Sequence, residues 1–527
     1  MSKNLENLSP FELNLYLESE VRLEKTKNQS KEWLDAGRGN PNWTARYPRE
    51  AYFLLGEFAT EETHIEESEI VGSKINVKEG RTERFEAFTE NRQSNGAKLL
   101  KKIWEKGEPF MGMSKEDWLT EMLDYMIGDN YPHPERVLRA CEEPIKSYLT
   151  HELFQSKTKP FDIFAVEGGT AGIIYTFNSL LNNHLLEAHD KIALMIPTFA
   201  PYLEIPELPE YGFEVEYIQS ELIEIDGNIS YQFPEKELDK LKNTDIKAVF
   251  VVNPSNPTAH AIYEPSINQL KYIVKHDNPD LMILSDDVYG TFLHDFTSLF
   301  TALPYNTLCI YSYSKYFGST GWRVGAIALA EENVFDKLLI ELSEPVKEKV
   351  KDRYELVSPE RDTLSFIDRM VADSRSVPLN HASGLSTPQQ AMMTLFSLYA
   401  LLDEEDLYKK EVMAICHKRE ALIYNALGLT TPVKRLGTAY YCEIDLAWWI
   451  EKRYNQPFKD YIKGTYSLTD LIARLAEEEQ LLLLKADAFG SSDWSLRISL
   501  ANLETEAYEE IGKRIVSMMN RMLEEWE

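Results

Sequence analysis

The chain has 527 residues, 43% hydrophobic and 27% charged, an ordinary globular composition that excludes a disordered or fibrous protein. With 86 Asp+Glu against 56 Lys+Arg the formal charge is −30, so the surface repels nucleic acid and anionic membranes. The length exceeds what one hydrophobic core usually holds, and two domains, or one large domain with additions, are expected.

Cys141, Cys309, Cys416 and Cys442 are scattered without paired spacing, and most fall in apolar runs. They read as reduced thiols, with neither a disulfide framework nor a metal site. The first residues, MSKNLENLSPFELNLYLESEVRLEK, mix charged and apolar side chains and lack the continuous apolar run of a signal peptide. No later segment reaches the ~18–20 apolar residues that cross a bilayer. A soluble, cytoplasmic protein with no membrane or nucleic-acid partner is expected.

In chain order, residues 1–72 form an N-terminal segment whose turn-rich string DAGRGNPNW (35–43) suits lining a site better than building a core. Residues 73–330 are expected to form the large domain. Between Phe161 and Ala330 the runs FDIFAV, KIALMIP, FEVEYIQ, IKAVFVV, LMILSDD, TLCIYSYS and RVGAIAL are near-continuous in apolar residues. Such runs mark strands buried on both faces, and helical segments lie between them, as at 171–186 and 265–275. The fold class is therefore α/β, with a mainly parallel sheet flanked by helices. Residues 331–385 read as a charge-rich helical insertion and link. Residues 386–527 read as a smaller α+β domain: the long helix TPQQAMMTLFSLYALL, strands GTAYYCEIDL, LLLLKADAF and WSLRISLANL, and a terminal helix.

The string YSYSKYFGSTGWRVG (311–325), directly after a predicted strand, places Ser312, Lys315 and Arg323 beside Gly318, Gly321 and Gly325. An amine, a hydroxyl, a guanidinium and close-approach glycines are what a phosphate-bearing aldehyde cofactor needs. A surface loop accounts equally well for this string taken alone. NPSNPT (253–258) and SDDVYG (285–290) follow two other strands, at the carboxyl ends where open α/β sheets place ligands. Asn256 and Tyr289 suit a phenolic oxygen, and Asp286 suits a protonated pyridine nitrogen, although a lone Asp there is commonly a turn or helix cap. In EGGTAGIIY the N–H groups of Gly169 and Thr170 open a helix and can receive a phosphate. In IPTFAPY, Phe199 or Tyr202 can stack on a flat ring or simply pack.

Together, and in this order from Arg38 to Arg497, these elements resemble the fold-type I pyridoxal 5′-phosphate (PLP) enzymes of the aspartate aminotransferase class. The resemblance implies that Lys315 is the catalytic Schiff-base lysine, Asp286 the partner of the pyridine nitrogen, and Asn256 and Tyr289 the ligands of the ring hydroxyl oxygen. Ser312, Arg323 and the Gly169–Thr170 turn would take the phosphate, and Phe199 the ring face. Tyr131, in GDNYPHPERVLRA, is similar to the tyrosine that reaches a neighbouring subunit's phosphate, which implies at least a homodimer. Arg497, in WSLRISLA, is similar to the arginine that grips the substrate α-carboxylate as a fork.

Ordinary transaminases of that class are shorter, and the extra length here lies in the N-terminal segment, in 331–374 and in 451–467. That arrangement, with DAGRGNPNW, resembles the branch of the family that β-decarboxylates L-aspartate to L-alanine and CO2. That branch retains aspartate aminotransferase activity and answers to a 2-oxo acid. Arg38 falls in the loop that passes over the substrate in this fold, where it would orient the β-carboxylate or the entrance; a surface-turn arginine is the alternative. An ordinary class I aminotransferase of the aspartate or alanine type is the rival reading, and free alanine formed without a keto-acid acceptor separates the two. A regulator built on such a domain would add a basic DNA-binding module, and this acidic chain has none.

Overall fold

The computed structural model describes residues 12, 15–19, 31–64, 77–155, 158–225, 228–358, 364–431 and 436–527. A two-residue strand β1 (Leu34–Asp35) leads into helices α1 (Arg46–Glu62), α2 (Arg81–Glu90), α3 (Asn95–Lys106), α4 (Lys115–Ile127) and α5 (Arg139–Glu152). Helix α1 buries Pro48, Ala51, Leu55, Phe58, Ala59 and Glu62. That spacing lays one stripe of the helix against the core.

The seven apolar runs expected as strands form one sheet. They are β2 (Phe161–Val166), β3 (Lys191–Ile196), β4 (Glu214–Gln219), β7 (Ile246–Val252), β8 (Met282–Asp286), β9 (Thr307–Ser312) and β10 (Gly325–Ala330), in the order β2-β10-β9-β8-β7-β3-β4. Only β10 runs antiparallel to its neighbours. Along β7, Ala248, Phe250 and Val252 join one core cluster while Val249 and Val251 join another. This strict alternation between two cores explains why both phases of the strand are apolar. Helix α6 (Gly169–Asn182) covers one face through Ile173, Phe177 and Leu180, and α7 (Glu264–His276) covers the other through Ile267, Leu270 and Ile273. Each fully buried side chain of this kind contributes roughly 1.5–3 kcal/mol. A hairpin, β5 (Glu221–Ile225) with β6 (Asn228–Gln232), was not legible as strands and lies outside this sheet.

The insertion is helical as expected, with α8 (Val334–Glu341), α9 (Glu344–Arg353) and α10 (Phe366–Ser374). Asp373 ties it to α6, accepting hydrogen bonds from Ser179 (2.6 Å), Tyr354 (2.8 Å) and Arg353 (2.7 Å). Helix α11 (Thr387–Leu401), expected to open the small domain, packs among α1, α4 and α5 of the N-terminal layer.

The C-terminal part contains α12 (Leu407–Ala426), β11 (Tyr441–Asp445), α13 (Leu446–Arg453), α14 (Gln456–Thr465), α15 (Leu468–Glu479), β12 (Leu481–Leu482), β13 (Leu484–Lys485), β14 (Ser495–Ser499) and α16 (Ala507–Trp526). Strand β14 lies between β11 and β13, and β12 pairs with β1. The N-terminal segment is thereby sewn to the C-terminal domain. The four cysteines are free and buried. Among the described residues no helix is long and apolar enough to cross a membrane.

Candidate active site

The carboxyl ends of β7, β8 and β9 lie in register, Val252 opposite Asp286 and Asp286 opposite Ile310. A cavity of about 260 Å³ opens over them. Its floor comes from the loops that follow these strands: Asn256 after β7, Asp286 and Tyr289 at the end of β8, Ser312 and Lys315 at the end of β9. Gly169 and Thr170 bring the amino end of α6 to the same space, and Phe199, after β3, completes that side.

One end of the floor gathers a guanidinium, a hydroxyl and the amino end of a helix. Arg323 adopts a left-handed backbone (φ 55°), and its guanidinium donates to the carbonyls of Thr320 (3.1 Å) and Glu167 (3.2 Å). Gly168 has φ 85°, and a Cβ there would sit 2.7 Å from Arg323 Nη2. Only glycine therefore lets the α6 turn close over the guanidinium. Ser312 Oγ, 3.0 Å from Ser314 Oγ, and the unpaired first N–H groups of α6 face the same place.

At the other end, Asp286 is buried, accepting the Val288 N–H (3.2 Å) and the Tyr202 hydroxyl (3.4 Å), and it makes no ion pair among the described residues. Desolvation by burial, helped by neighbouring Asp287, pushes its carboxyl up to about 7. A buried carboxylate outside any ion pair among the described residues, a guanidinium–hydroxyl–helix cradle and an amine hydrogen-bonded to the Gly39 carbonyl match the ring nitrogen, phosphate and aldehyde of PLP. The donor set fits that cofactor.

The opposite wall is assembled from three distant pieces of chain. Arg497 on β14 is buried; its Nε donates to Asn256 Oδ1 (3.1 Å) and its Nη1 to the Gly37 carbonyl (3.0 Å). Its guanidinium lies between two rings, 4.0 Å from the Tyr441 centroid and 4.8 Å from that of Phe489. Lys315 Nζ donates to the Gly39 carbonyl (3.1 Å), which also accepts from the Tyr440 hydroxyl (2.8 Å). Trp43 Nε1 reaches the carbonyls of Lys315 (3.2 Å) and Tyr316 (3.1 Å), fixing the lysine loop from outside. Burial pushes the Tyr289 phenol well above the usual tyrosine value. Tyr441 goes the other way: burial raises its phenol, but the charges of Arg497 and Lys315 and the contact with Tyr289 outweigh this and hold it below the usual value.

The cavity brings together Lys315, Asn256, Asp286, Tyr289, Ser312, Arg323, Gly169, Thr170, Phe199 and Arg497. It does not include Tyr131, which is 70% exposed, or Arg38. The Arg38 side chain is 57% exposed and turns to two carboxylates, Asp35 (3.0 Å) and Glu18 (3.1 Å), while its neighbour Gly39 lines the cavity. Sequence reasoning expected the loop that carries Gly39 to line a site without singling out that residue, and it missed Ile173, Val252, Val288, Ser314, Thr320 and Tyr441. Ser314 and Thr320 stand inside the string that carries Lys315, so proximity was a usable signal. Tyr441 gives none by itself. It becomes visible only through pairing, since Glu443 opposes Arg497 across β11 and β14 and Tyr441 is its diagonal neighbour.

Comparison with known proteins agrees with this geometry. Residues 136–515 match the model of the family described as aminotransferase class I and II. The chain is 42% identical, over 99% of its length and 98% of the relative's, to a bifunctional aspartate aminotransferase and L-aspartate beta-decarboxylase of Pseudomonas sp.. Among solved structures, an aspartate aminotransferase of Thermus thermophilus superposes with a TM-score of 0.59 at 14% identity, covering 98% of this chain and 99% of that one. An aromatic aminotransferase from Pyrococcus horikoshii gives 0.55 at 17% identity, with 96% and 99% covered. The mainly parallel sheet is thus a fold shared with aminotransferases, and this chain belongs to the aminotransferase class I and II family.

Proposed function

We propose that the chain β-decarboxylates L-aspartate to L-alanine and CO2, with aspartate transamination as a side reaction. The observation that carries this reading is the 42% identity to a bifunctional enzyme over 99% of the chain, the added segments included. PLP, when bound, supplies an electron sink conjugated to the substrate's amino group. Lys315 would hold its aldehyde carbon, Asp286 its ring nitrogen, and Asn256 and Tyr289 its ring hydroxyl oxygen. Phe199 would cover its face, while Ser312, Arg323 and the N–H groups of Gly169 and Thr170 would hold its phosphate.

The remaining work belongs to the chain. Arg497, braced on Asn256 and Gly37, grips the α-carboxylate as a bidentate fork. Held there, the substrate turns its Cα–H toward Lys315, whose amine takes that proton and later returns it. The buried rings of Tyr289, Tyr440, Tyr441 and Phe489 keep water from the cavity. Water exclusion favours loss of CO2 over the hydrolysis that releases oxaloacetate.

Further parts of the reading concern partners. Exposed Tyr131 suits a role in a neighbouring subunit's site, so the working unit is at least a homodimer. A 2-oxo acid restores the cofactor after each hydrolytic event. The four buried cysteines, none in a disulfide, suit the cytoplasm. The test is direct: PLP-loaded enzyme given L-aspartate alone should form alanine and CO2 in many-fold excess over oxaloacetate, lose activity during turnover, and regain it on addition of pyruvate. Oxaloacetate in step with cofactor consumption, without alanine, would make the chain an ordinary aminotransferase.

A further inference from the structure

Replacing a carboxylate by hydrogen at Cβ takes up one proton, and if Lys315 returns to Cα the proton it took there, the proton for Cβ comes from another source. Among the proton-bearing side chains that line the cavity, Tyr441 stands against both Lys315 and Arg497. Tyr441 is 2% exposed, and its hydroxyl lies 2.8 Å from that of Tyr289. A Cβ placed on Gly39 would meet Tyr441 Oη at 2.5 Å, Lys315 Nζ at 3.5 Å and Arg497 Nη2 at 3.6 Å. Three groups therefore ring a single point, the one that Gly39 leaves open by lacking a side chain. A substrate whose α-carboxylate rests on Arg497 and whose Cα faces Lys315 brings its next carbon beside the third member of that ring. Resting on the decarboxylase reading, we propose that Tyr441 is the acid that protonates Cβ as CO2 departs.

The step balances. The bond between Cβ and the carboxylate carbon breaks, CO2 leaves, and the electron pair stays behind to be met at Cβ. The Tyr441 O–H breaks and its proton forms the new C–H bond. The phenolate that remains sits between the Arg497 and Lys315 cations and is recharged by water entering as product leaves. The charged and titratable groups that face Tyr441 are Arg497 from β14, Lys315 from the loop after β9, Tyr289 from the end of β8 and Tyr440 beside it on the chain. Burial opposes ionisation of the phenol, but the two cations and Tyr289 prevail, making it a stronger acid than an ordinary tyrosine.

Tyr441→Phe keeps the ring that supports Arg497 and removes the hydroxyl, its proton and its hydrogen bond to Tyr289. Alanine formation should fall by about 10²-fold, the usual range for a lost general acid. The alanine-to-oxaloacetate ratio should fall at least about 10-fold, because the hydrolytic branch does not need this proton. A second reading comes from the full chain stripped of cofactor: its phenolate absorbance near 295 nm should titrate with one tyrosine ionising below the rest, and Tyr441→Phe should lose that step. Equal loss of both products, an unchanged ratio, or superimposable titrations would each overturn the assignment. If wild-type enzyme makes no alanine, the decarboxylase reading falls and takes this assignment with it; alanine from wild type with an unchanged ratio in Tyr441→Phe removes the assignment alone.

Discussion

The floor and the wall of the cavity are built on different principles. The floor is local: its groups stand within a few residues of the carboxyl ends of core strands, or, for Arg323, just before the amino end of antiparallel β10, and β7, β8 and β9 are locked in parallel register. The wall is assembled: Gly37–Gly39, Tyr440–Tyr441 and Arg497 come from opposite ends of the chain. Backbone bonds join them, from Ser499 N to Ala36 O (2.8 Å), Asn42 N to Ala501 O (2.8 Å) and Ala36 N to Leu482 O (3.0 Å). On the proposed reading the difference is a division of labour, in which rigid strand ends would hold the cofactor and a stitched seam would select and orient what reacts with it.

The comparison breaks most visibly at Lys315. Lys315→Ala should lower turnover by at least about 10⁴-fold, because on the proposed reading one amine both holds the cofactor and moves the Cα proton; steady-state alanine production is the check. Next on the floor, Asp286→Ala should retain some cofactor yet lose about 10²–10³-fold in turnover, since the ring nitrogen loses its partner. Near-normal turnover would place the nitrogen's partner elsewhere.

Asp286 and Asp287 also give the floor a pH signature. Burial raises them to about 7 and about 6 from an ordinary 3.8. A carboxylate whose folded value is raised costs stability once it must ionise in the fold. The contribution of these two groups to the stability of the cofactor-free chain should therefore be full below about pH 4 and be lost as pH rises toward 7. Asp286→Asn should flatten the slope of Tm against pH over that window.

The wall should respond more mildly. Arg497→Lys keeps the charge but loses the planar fork, so the KM for aspartate should rise about 10–10²-fold with cofactor affinity little changed. Gly39→Ala puts a Cβ 2.5 Å from Tyr441 Oη and forces the seam to shift. Its cost should appear as roughly a tenfold loss in kcat/KM with a small change in Tm, measured on the loaded enzyme. Arg38→Ala removes an exposed pair of ion contacts and should change stability by less than about 1 kcal/mol in urea titration.

The same division decided what was legible beforehand. The strands and the floor could be read from sequence because motif and position coincide: NPSNPT, SDDVYG and YSYSKYFGSTGWRVG each adjoin an apolar run that both cores require. The seam could not, because nothing local tells a strand tyrosine that faces a site from one that packs, and Tyr441 acquires its role from the register of β11 on β14. Arg497 was reached only through family resemblance. Arg38 shows the limit of that route, since the loop lies where expected while the side chain pairs with Asp35 and Glu18. Helices α1 to α5 went unread, and α11 packs with them rather than with the small sheet, because helix partners are chosen by tertiary packing that periodicity does not encode.

The floor carries the account, and one measurement addresses it directly. PLP-loaded enzyme reduced with borohydride and digested should yield a single cofactor-bearing peptide, with the label on Lys315 and none in Lys315→Ala. Cofactor fixed on any other lysine, or labelling that survives in Lys315→Ala at the wild-type level, would contradict it.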